Sequence, residues 1–466
     1  MQKRQPKDHP VCTHQTVTPE FKLKAGRKTI LITTTDQKLS AHGGQATFWG
    51  FMHLRKFPSL LAKTLPHHPN SPNALPTVDI GLGFIAGILA GADKLTRLAH
   101  LREDPLLPQV MGVKRLSSQS TYTRFLAGFD GAAKNLRTFR ALWHWAMNRL
   151  NSHPKGYTLD LDSTTLLHAD GHQQGVKVGY TPRGNKPCLS PLLAVLAEAK
   201  LVAQFWLRPG NVHSATNVIS FTLDLLSNLP RHIRVRLVRA DSGFYQEDWL
   251  SLLESQGLGY IVVAELRIKL QNLIRKETRW QPGKVAGTEV AEIEYENASG
   301  RRRRMILVRH RIEEKKRAGG KTLFDCPGYR YQALVTNLPA SVGPLEVWLE
   351  YNGRAGVENV IKELDYGFGL SKLCCKKFWA TEAALSLAVV TYNLSMLFQR
   401  HLGWLDRVNI GTLRFRLFAT AGIISQSQGR PTIKLGVQLE NRDWWRRIWE
   451  KILAPIPNCN AVAQSP

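Results

Sequence analysis

Residues 157–162 read YTLDLD, a strict alternation of polar and apolar side chains. Alternation with a period of two is the signal of a β-strand, because successive side chains point to opposite faces of a sheet. The two leucines therefore share one face, and Asp160 and Asp162 share the other. Asp162 stands at the end of the run. We predict a strand that carries a carboxylate at its C-terminal end.

Strands and helices alternate in the sequence that follows this strand. The predicted elements are strands at 189–197 and 201–208, a helix at 214–229 that Ser214 caps, a strand at 233–240, a helix at 244–256 and a strand at 260–264. The order β-β-β-α-β-α-β is typical of an α/β layer fold with a mixed five-stranded sheet. It is the element order of the ribonuclease H-like fold.

A second carboxylate follows the fourth strand of this series. Asp241 lies in the sequence RADSGF, at 239–244. In the predicted topology the first and fourth strands are neighbours, so Asp162 and Asp241 meet at one edge of the sheet. Two close carboxylates repel each other unless a cation lies between them, and carboxylate oxygens are ligands that suit Mg²⁺ or Mn²⁺. The pattern predicts a divalent-metal site.

A third carboxylate lies on a helix predicted for 351–369, YNGRAGVENVIKELDYGFG. At about 100° per residue, one stripe of this helix carries five polar side chains. They are Tyr351, Arg354, Glu358, Lys362 and Asp365. A stripe with two cations and two carboxylates is typical of a face directed at a charged ligand. The alternative is a solvated face on which Glu358 and Lys362 form an ion pair one turn apart.

The remaining segments complete a division into five parts. Strands predicted at 289–296, 304–312 and 330–338 indicate a β-rich insertion within the α/β core. We therefore predict a mainly helical DNA-binding region at 1–150, a first core part at 151–266, the insertion at 267–345, a second core part with the glutamate helix at 346–403, and a helical C-terminal region at 404–466.

The charge of the chain indicates a polyanionic partner. It has 63 Lys and Arg against 36 Asp and Glu, a net charge of +27, and phosphate backbones are common partners of such a field. Two short helices at 105–112 and 118–129 suggest a helix-turn-helix that would present Arg124 to DNA, the alternative being an ordinary helical hairpin. In the insertion, Arg302 and Arg303 are predicted to contact phosphates, the alternative being a solubilising charged hairpin.

Two other classes of protein are disfavoured by the sequence. The six cysteines form no CxxC pair, which argues against a zinc site, and they are too sparse for a secreted disulfide framework. The longest apolar stretch, 80–92, is shorter than the roughly 20 residues that span a bilayer. We expect a reduced cytoplasmic protein without a membrane partner.

Three short motifs resemble those of bacterial insertion-sequence transposases of the DDE superfamily. They are LDLDST at 159–164, RADSGF at 239–244 and the spacing Y-x2-R-x3-E that begins at 351. The resemblance covers about 155–400. It selects Asp162 over Asp160 as the first catalytic acid, because the family's aspartate precedes a Thr or Ser pair. Asp241 and Glu358 complete the triad that it implies.

The same resemblance implies further contacts with DNA. Tyr351 and Arg354 match signature positions whose side chains contact DNA. The family often has a lysine seven residues after the glutamate, where this chain has Asp365. Lys362, one turn earlier, is the substitute we expect to contact phosphate.

The resemblance also implies a reaction and its partners. Two Mg²⁺ or Mn²⁺ ions held by Asp162, Asp241 and Glu358 would support cleavage of double-stranded DNA at terminal inverted repeats, and transfer of the 3′-OH ends to target DNA. The enzyme would act as a homodimer on DNA, in the bacterial cytoplasm near the nucleoid. Two alternatives stay open: a metal-dependent nuclease of the same fold without strand transfer, and a catalytically inactive DNA-binding protein derived from a transposase.

Overall fold

The described residues among the first 150 are mainly helical, as predicted. The computed structural model describes residues 21–66, 71, 73–168, 172–181, 184–297, 300–312, 321–322, 328–404 and 408–454. The elements of the first part are β1 (Phe21–Ala25), β2 (Lys28–Ile32), β3 (Leu39–Ser40), α1 (Gln45–Leu54), α2 (Phe57–Thr64), α3 (Thr77–Leu89), α4 (Leu95–His100), α5 (Leu107–Met111), α6 (Gln119–Ala127) and α7 (Ala132–Met147).

The predicted pair of short helices corresponds to α5 and α6. Gly112 ends α5 in the left-handed conformation, with φ of 71°, which glycine adopts without a steric cost. Ser118 begins α6, and its hydroxyl accepts a hydrogen bond from the Thr121 backbone N–H at 3.3 Å. The positions of both caps agree with the sequence-based prediction.

The α/β elements follow in the predicted order, with additions. They are β4 (Tyr157–Ser163), β5 (Leu166–Leu167), β6 (Lys177–Thr181), β7 (Gly184–Leu189), β8 (Leu192–Leu196), β9 (Leu201–Trp206), α8 (Val218–Asn228), β10 (Val235–Ala240), α9 (Glu247–Ser255) and β11 (Gly259–Val263). Strands β5, β7 and β6 form a small separate sheet that the sequence did not predict. The helix predicted from residue 214 begins only at Val218, so Ser214 does not cap it.

The predicted insertion is present as strands but is part of the main sheet. Its elements are α10 (Ile268–Lys276), β12 (Gln281–Pro282), β13 (Thr288–Glu296), β14 (Arg302–Arg311), β15 (Lys321–Thr322) and β16 (Tyr329–Thr336). Strand β16 pairs with β11, which gives one ten-stranded sheet in the order β12-β13-β14-β16-β11-β10-β4-β8-β9, with β15 beside β16. The prediction of a five-stranded sheet was therefore wrong in extent, because the insertion strands continue its edge.

Helices return after the insertion, together with one hairpin. The elements are α11 (Pro344–Asn352), α12 (Ala355–Phe368), α13 (Phe378–His401), α14 (Ile410–Leu413), β17 (Gly422–Ser427), β18 (Arg430–Leu435) and α15 (Arg442–Leu453). Strand β17 pairs with β3 from the other end of the chain. The C-terminal region is thus not purely helical, which corrects the prediction for 404–466.

Helix α13 lies at the centre of the molecule. By length and composition it is apolar enough to cross a membrane, but its most apolar window is fully buried within the protein. It packs against α7, α3, β9 and α12. A continuous set of buried apolar residues extends from Phe48 to Ile452, so both ends of the chain contribute to one core. The five-part division of the chain stays a prediction.

Candidate active site

Two carboxylates meet where β4 and β10 end, as the topology predicted. The two strands are parallel neighbours, with Val238 opposite Leu159 and Arg239 opposite Asp160. Asp162 is the second-to-last residue of β4 and is 8% exposed. Asp241 follows β10 directly. Because both faces of this central strand are covered, even the polar side of the YTLDLD alternation is buried.

A buried ion pair lies beneath these carboxylates. The Arg239 guanidinium contacts both carboxylate oxygens of Asp160, with Nε to Oδ1 at 2.6 Å and Nη2 to Oδ2 at 2.9 Å. Its third nitrogen donates to the Glu350 carbonyl at the end of α11. Asp160 is thus a buried residue, and through Arg239 its side chain joins β4 to β10 and to α11.

Sequence reasoning missed Arg239, although a signal was present. Asp160 precedes Asp162 by two residues, and Arg239 precedes Asp241 by two. On parallel neighbouring strands with this register, the two earlier residues lie side by side on the same face as the later ones. An acid and an arginine at matched positions predict an ion pair below the site.

The third motif bends where a single helix was expected. Helix α11 ends at Asn352 and α12 begins at Ala355, with Gly353 and Arg354 between them. A Cβ on Gly353 would lie 2.5 Å from the Arg239 Nη1 atom. The junction therefore needs glycine because a side chain would not fit, and not because of an unusual backbone angle. The prediction of one helix with a continuous polar stripe is corrected to two helices that meet at the site.

The bend places Arg354 among the carboxylates. Its Nη2 lies 3.0 Å from Asp162 Oδ2 and 3.2 Å from the Leu161 carbonyl, and the side chain is 9% exposed. The resemblance implied a DNA contact for Arg354. In the structure its guanidinium is buried as the counter-ion of Asp162, and its contact with DNA stays a prediction.

The charges of the motif residues act on one another. Burial raises the pKa of Asp162 to about 6; Arg354 opposes this rise, and the negative charges of Asp241 and Glu358 add to it. Burial lowers the pKa of Arg354, but Asp162 and its neighbours outweigh burial, so the net shift is upward. Burial raises the pKa of Tyr351 to about 12, so this half-buried phenol remains protonated at neutral pH.

Hydrogen bonds stabilise the Asp241 loop and the segments that surround it. Asp241 Oδ1 accepts from the Gly243 N–H at 2.9 Å. The hydroxyls of Ser163 and Ser214 are 3.0 Å apart, which joins the end of β4 to the segment before α8. Arg208 is buried and donates to the Ser214 carbonyl at 2.7 Å. Ser214 thus has a role in the site that its predicted role as a helix cap did not anticipate.

The outer residues of the third motif lie on α12. Glu358 and Lys362 are exposed, and Asp365 is half-buried. The Asp365 carboxylate accepts from the Ser371 N–H at 3.1 Å, so it stabilises the turn that follows the helix. This contact gives Asp365 a structural role at the position where the family signature often has a lysine.

The three motif carboxylates are of the chemical type that binds a divalent cation, although their side chains are not gathered into a metal site in this structure. Asp162, Asp241 and Glu358 supply only carboxylate oxygens, and Arg354 is the cation bonded to the buried one of the three. Three negative charges against one positive charge leave an unbalanced site, which a hard cation would neutralise. In the parts of the chain that the structure describes, no three His, Cys, Asp or Glu side chains are gathered closely enough to hold a metal ion.

Comparison with known proteins agrees with the motifs. The family model for the transposase DDE domain, group 1, matches residues 22–455. The chain belongs to this transposase family. No curated protein matches the chain. A cryo-EM structure of the piggyBac transposase synaptic complex with hairpin DNA is similar at 13% identity and a TM-score of 0.43, and the match covers 79% of this chain and 78% of that chain.

The arginines predicted to hold DNA in this transposase differ in their surroundings. Arg303 is buried and contacts Glu247 at 2.5 Å and Glu254 at 2.9 Å. Its guanidinium is neutralised inside the protein, so its predicted phosphate contact is wrong. Arg302 is 65% exposed and lies 3.0 Å from Glu296, so it stays a candidate.

One other predicted DNA contact lies on α6, and three other basic residues lie in the insertion. Arg124 is exposed on α6, as a DNA contact requires, and its predicted role stays a prediction. The insertion also contains Lys315, Lys316 and Arg317. These three residues lie outside the described part of the chain.

Proposed function

We propose that this transposase cleaves double-stranded DNA at the terminal inverted repeats of an insertion sequence and joins the 3′-OH ends to target DNA. The observation that carries the proposal is the convergence of the three motifs. Asp162 and Asp241 follow neighbouring parallel strands, and the charges of Asp241 and Glu358 both act on Asp162. The arrangement of β9-β8-β4-β10-β11 supports a ribonuclease H-like core within the larger sheet.

Each carboxylate has a distinct place in the proposed reaction. Asp162 lies deepest, and Asp241 and Glu358 approach it from β10 and α12. Together these three side chains would hold two Mg²⁺ or Mn²⁺ ions. Bound divalent ions would lower the pKa of the attacking water and stabilise the leaving oxygen.

Arg354 acts on this site from the α11–α12 junction. Arg354 Nη2 lies 3.0 Å from Asp162 Oδ2. A divalent cation held by the carboxylate would free the guanidinium for the neighbouring phosphate of DNA. This release would reconcile the buried ion pair with the DNA contact that the family signature implies.

The remaining parts of the proposal concern partners and location. The net charge of +27 supports binding of both transposon ends and target DNA. Pairing of two ends suggests a homodimer on DNA, in the bacterial cytoplasm near the nucleoid. Arg124, Lys362 and Arg302 are the exposed cations that we place in contact with phosphates.

A strand-transfer assay tests the proposal against its two alternatives. The purified protein is incubated with Mg²⁺, a target plasmid and labelled duplexes from the DNA that flanks the reading frame. We expect 3′-OH cleavage at an inverted repeat followed by joined product. Cleavage without joining would favour the nuclease, and specific binding without cleavage would favour the inactive DNA-binding protein.

A further inference from the structure

Two aromatic rings on the surface have no packing role that explains them. Phe415 is 87% exposed and Tyr366 is 84% exposed. Single exposed apolar residues are common on protein surfaces, so exposure alone identifies no site. Their position relative to the candidate active site is the second observation.

Tyr366 lies on the same exposed stripe of α12 as the third carboxylate. Glu358, Lys362 and Tyr366 follow one another at intervals of four residues, and all three are exposed. Such residues advance along one side of a helix, with a rise of about 1.5 Å per residue. Tyr366 is therefore about 12 Å along the helix from Glu358, with a lysine between them, which is a span of roughly two nucleotides of an extended strand.

Phe415 lies in the short π-helical segment Arg414–Phe418, which is hydrogen-bonded to the C-terminal end of α12. The Arg414 guanidinium donates to the Gly367 carbonyl at 2.7 Å and to the carbonyls of Ile88 and Leu89 at 2.6 and 2.9 Å. A Cβ on Gly367 would meet Ile410 at 2.4 Å, so the two elements are in close contact. Both rings thus stand beside backbone that is tightly held.

The charges around these rings suit a nucleic acid strand. Lys362, on α12, and Arg416, next to Phe415 in sequence, are exposed. The nearby acids are engaged within the protein, because Glu363 accepts from the Ile410 N–H at 2.9 Å and Asp365 accepts from the Ser371 N–H at 3.1 Å. Exposed aromatic faces interleaved with cations are the combination that binds unpaired bases and their phosphates.

Two tryptophans in or near the predicted insertion, Trp348 and Trp280, do not offer such faces. Trp348 is 5% exposed, in the small core between the insertion strands and α11. Trp280 is half-buried, with the Arg309 guanidinium 4.3 Å from its ring centroid. If bases are stacked by this protein, the described residues offer Tyr366 and Phe415 for the purpose.

We propose that Tyr366 and Phe415 form a stacking surface for unpaired bases of the DNA strand that leaves the active site along α12, with Lys362 on its backbone. This inference rests on the proposed function, because it assigns the path of the DNA substrate from Glu358. A base must leave the duplex to meet such a ring, so the surface selects frayed or cleaved ends over intact duplex.

The test compares two probes of equal charge. One is a duplex with a single-stranded 3′ overhang of thymidines, and the other has the same overhang with abasic sugars. We expect the full-length protein to bind the thymidine overhang more tightly. Tyr366→Ala should lower that affinity by about tenfold and leave the abasic probe unaffected, and Phe415→Leu should act in the same direction. Tyr366→Phe should retain the preference.

Tyr180 provides the matched control, since it is 83% exposed on β6. Tyr180→Ala should behave as the parent protein toward both probes. The proposal is overturned if Tyr366→Ala and Phe415→Leu retain the parent's preference for thymidine, or if they change the oligomeric state in sedimentation and not the base preference. Strand cleavage by the parent protein is measured separately, so failure of the proposed function is recognised independently.

Discussion

Arginines, as much as carboxylates, determine the geometry of the candidate site. Asp162, Asp241 and Glu358 were identifiable from sequence because they follow recognisable strand and helix patterns. Arg239 was missed because its role depends on the register between two strands, which is set by tertiary packing. The burial of Arg354 depends on a bend at Gly353 that helical periodicity alone does not indicate.

Gly353 offers a direct test of this geometry. Gly353→Ala should displace the Arg239 guanidinium from Asp160, lower the free energy of unfolding by about 1–3 kcal/mol and reduce DNA cleavage. Gly356→Ala is the control, because nothing lies within 4 Å of its added Cβ and alanine is the better helix former by up to about 1 kcal/mol. Denaturant unfolding measures both. Equal effects at the two positions would contradict the packing described for Gly353.

Glu382 is a further buried acid, outside the three motifs. Its carboxylate accepts from Asn135 Nδ2 at 2.7 Å and from the Leu207 N–H at 2.9 Å, and so joins α13, α7 and the segment after β9. Burial raises the pKa of Glu382 to about 7 from 4.5, although both hydrogen bonds oppose the rise. Because the folded-state value is the higher one, its contribution to stability is present below pH 4.5 and is lost as the pH rises to about 7.

Glu382→Gln should therefore become favourable at alkaline pH. Relative to the parent, the variant's free energy of unfolding should rise between pH 5 and pH 8 by an amount on the order of 3 kcal/mol, since the buried charge is absent. Thermal unfolding of both proteins across this range is the measurement. Glu440→Gln, at an exposed position, is the control. A difference that does not vary with pH would contradict the assignment.

At the level of elements, the strands were predictable but their partners were not. Alternation identified β4, β10, β13, β14 and β16 because the period of the apolar side chains is a local property. Pairing of β16 with β11 joins segments about 70 residues apart and makes the insertion part of the main sheet. Short strands β5, β6 and β7 were missed because their side chains are largely exposed and lack a periodic apolar face.

Two neighbouring arginines on β14, Arg303 and Arg302, are expected to contribute differently to stability. Arg303→Ala should lower the free energy of unfolding by about 1–3 kcal/mol, because Glu247 and Glu254 lose their buried counter-ion. Arg302→Ala, at an exposed position on the same strand, should leave stability within about 0.5 kcal/mol. Chemical denaturation and DNA binding are measured together. A loss of DNA affinity in Arg303→Ala without a loss of stability would restore the original phosphate-contact hypothesis.

The whole molecule joins its two ends around one core. Helix α15 packs on α1, and β17 pairs with β3, so the described residues from the start and end of the chain are in contact. The order of the predicted elements correctly indicated a mixed α/β fold. It could not show that N-terminal and C-terminal segments share that core, because such contacts have no local periodicity.

The net charge of +27 has a consequence for the entire molecule. Affinity for nonspecific duplex DNA should fall by about 10³- to 10⁵-fold between 50 and 200 mM salt, if roughly six to ten phosphates are neutralised. Fluorescence anisotropy with a labelled duplex across this range gives the slope. An affinity that barely changes with salt would contradict a DNA-binding role for the charge.

The central claim is that Asp162, Asp241 and Glu358 act together in metal-dependent cleavage of DNA. The most direct measurement is the Mg²⁺-dependent cleavage rate of an inverted-repeat duplex by Asp162→Asn, Asp241→Asn and Glu358→Gln, with Asp365→Asn as the matched acid on α12. The account predicts that each of the three lowers the rate by at least about 1,000-fold with folding and DNA binding retained, and that Asp365→Asn stays near the parent rate. Cleavage within about tenfold of the parent by any of the three variants would contradict it.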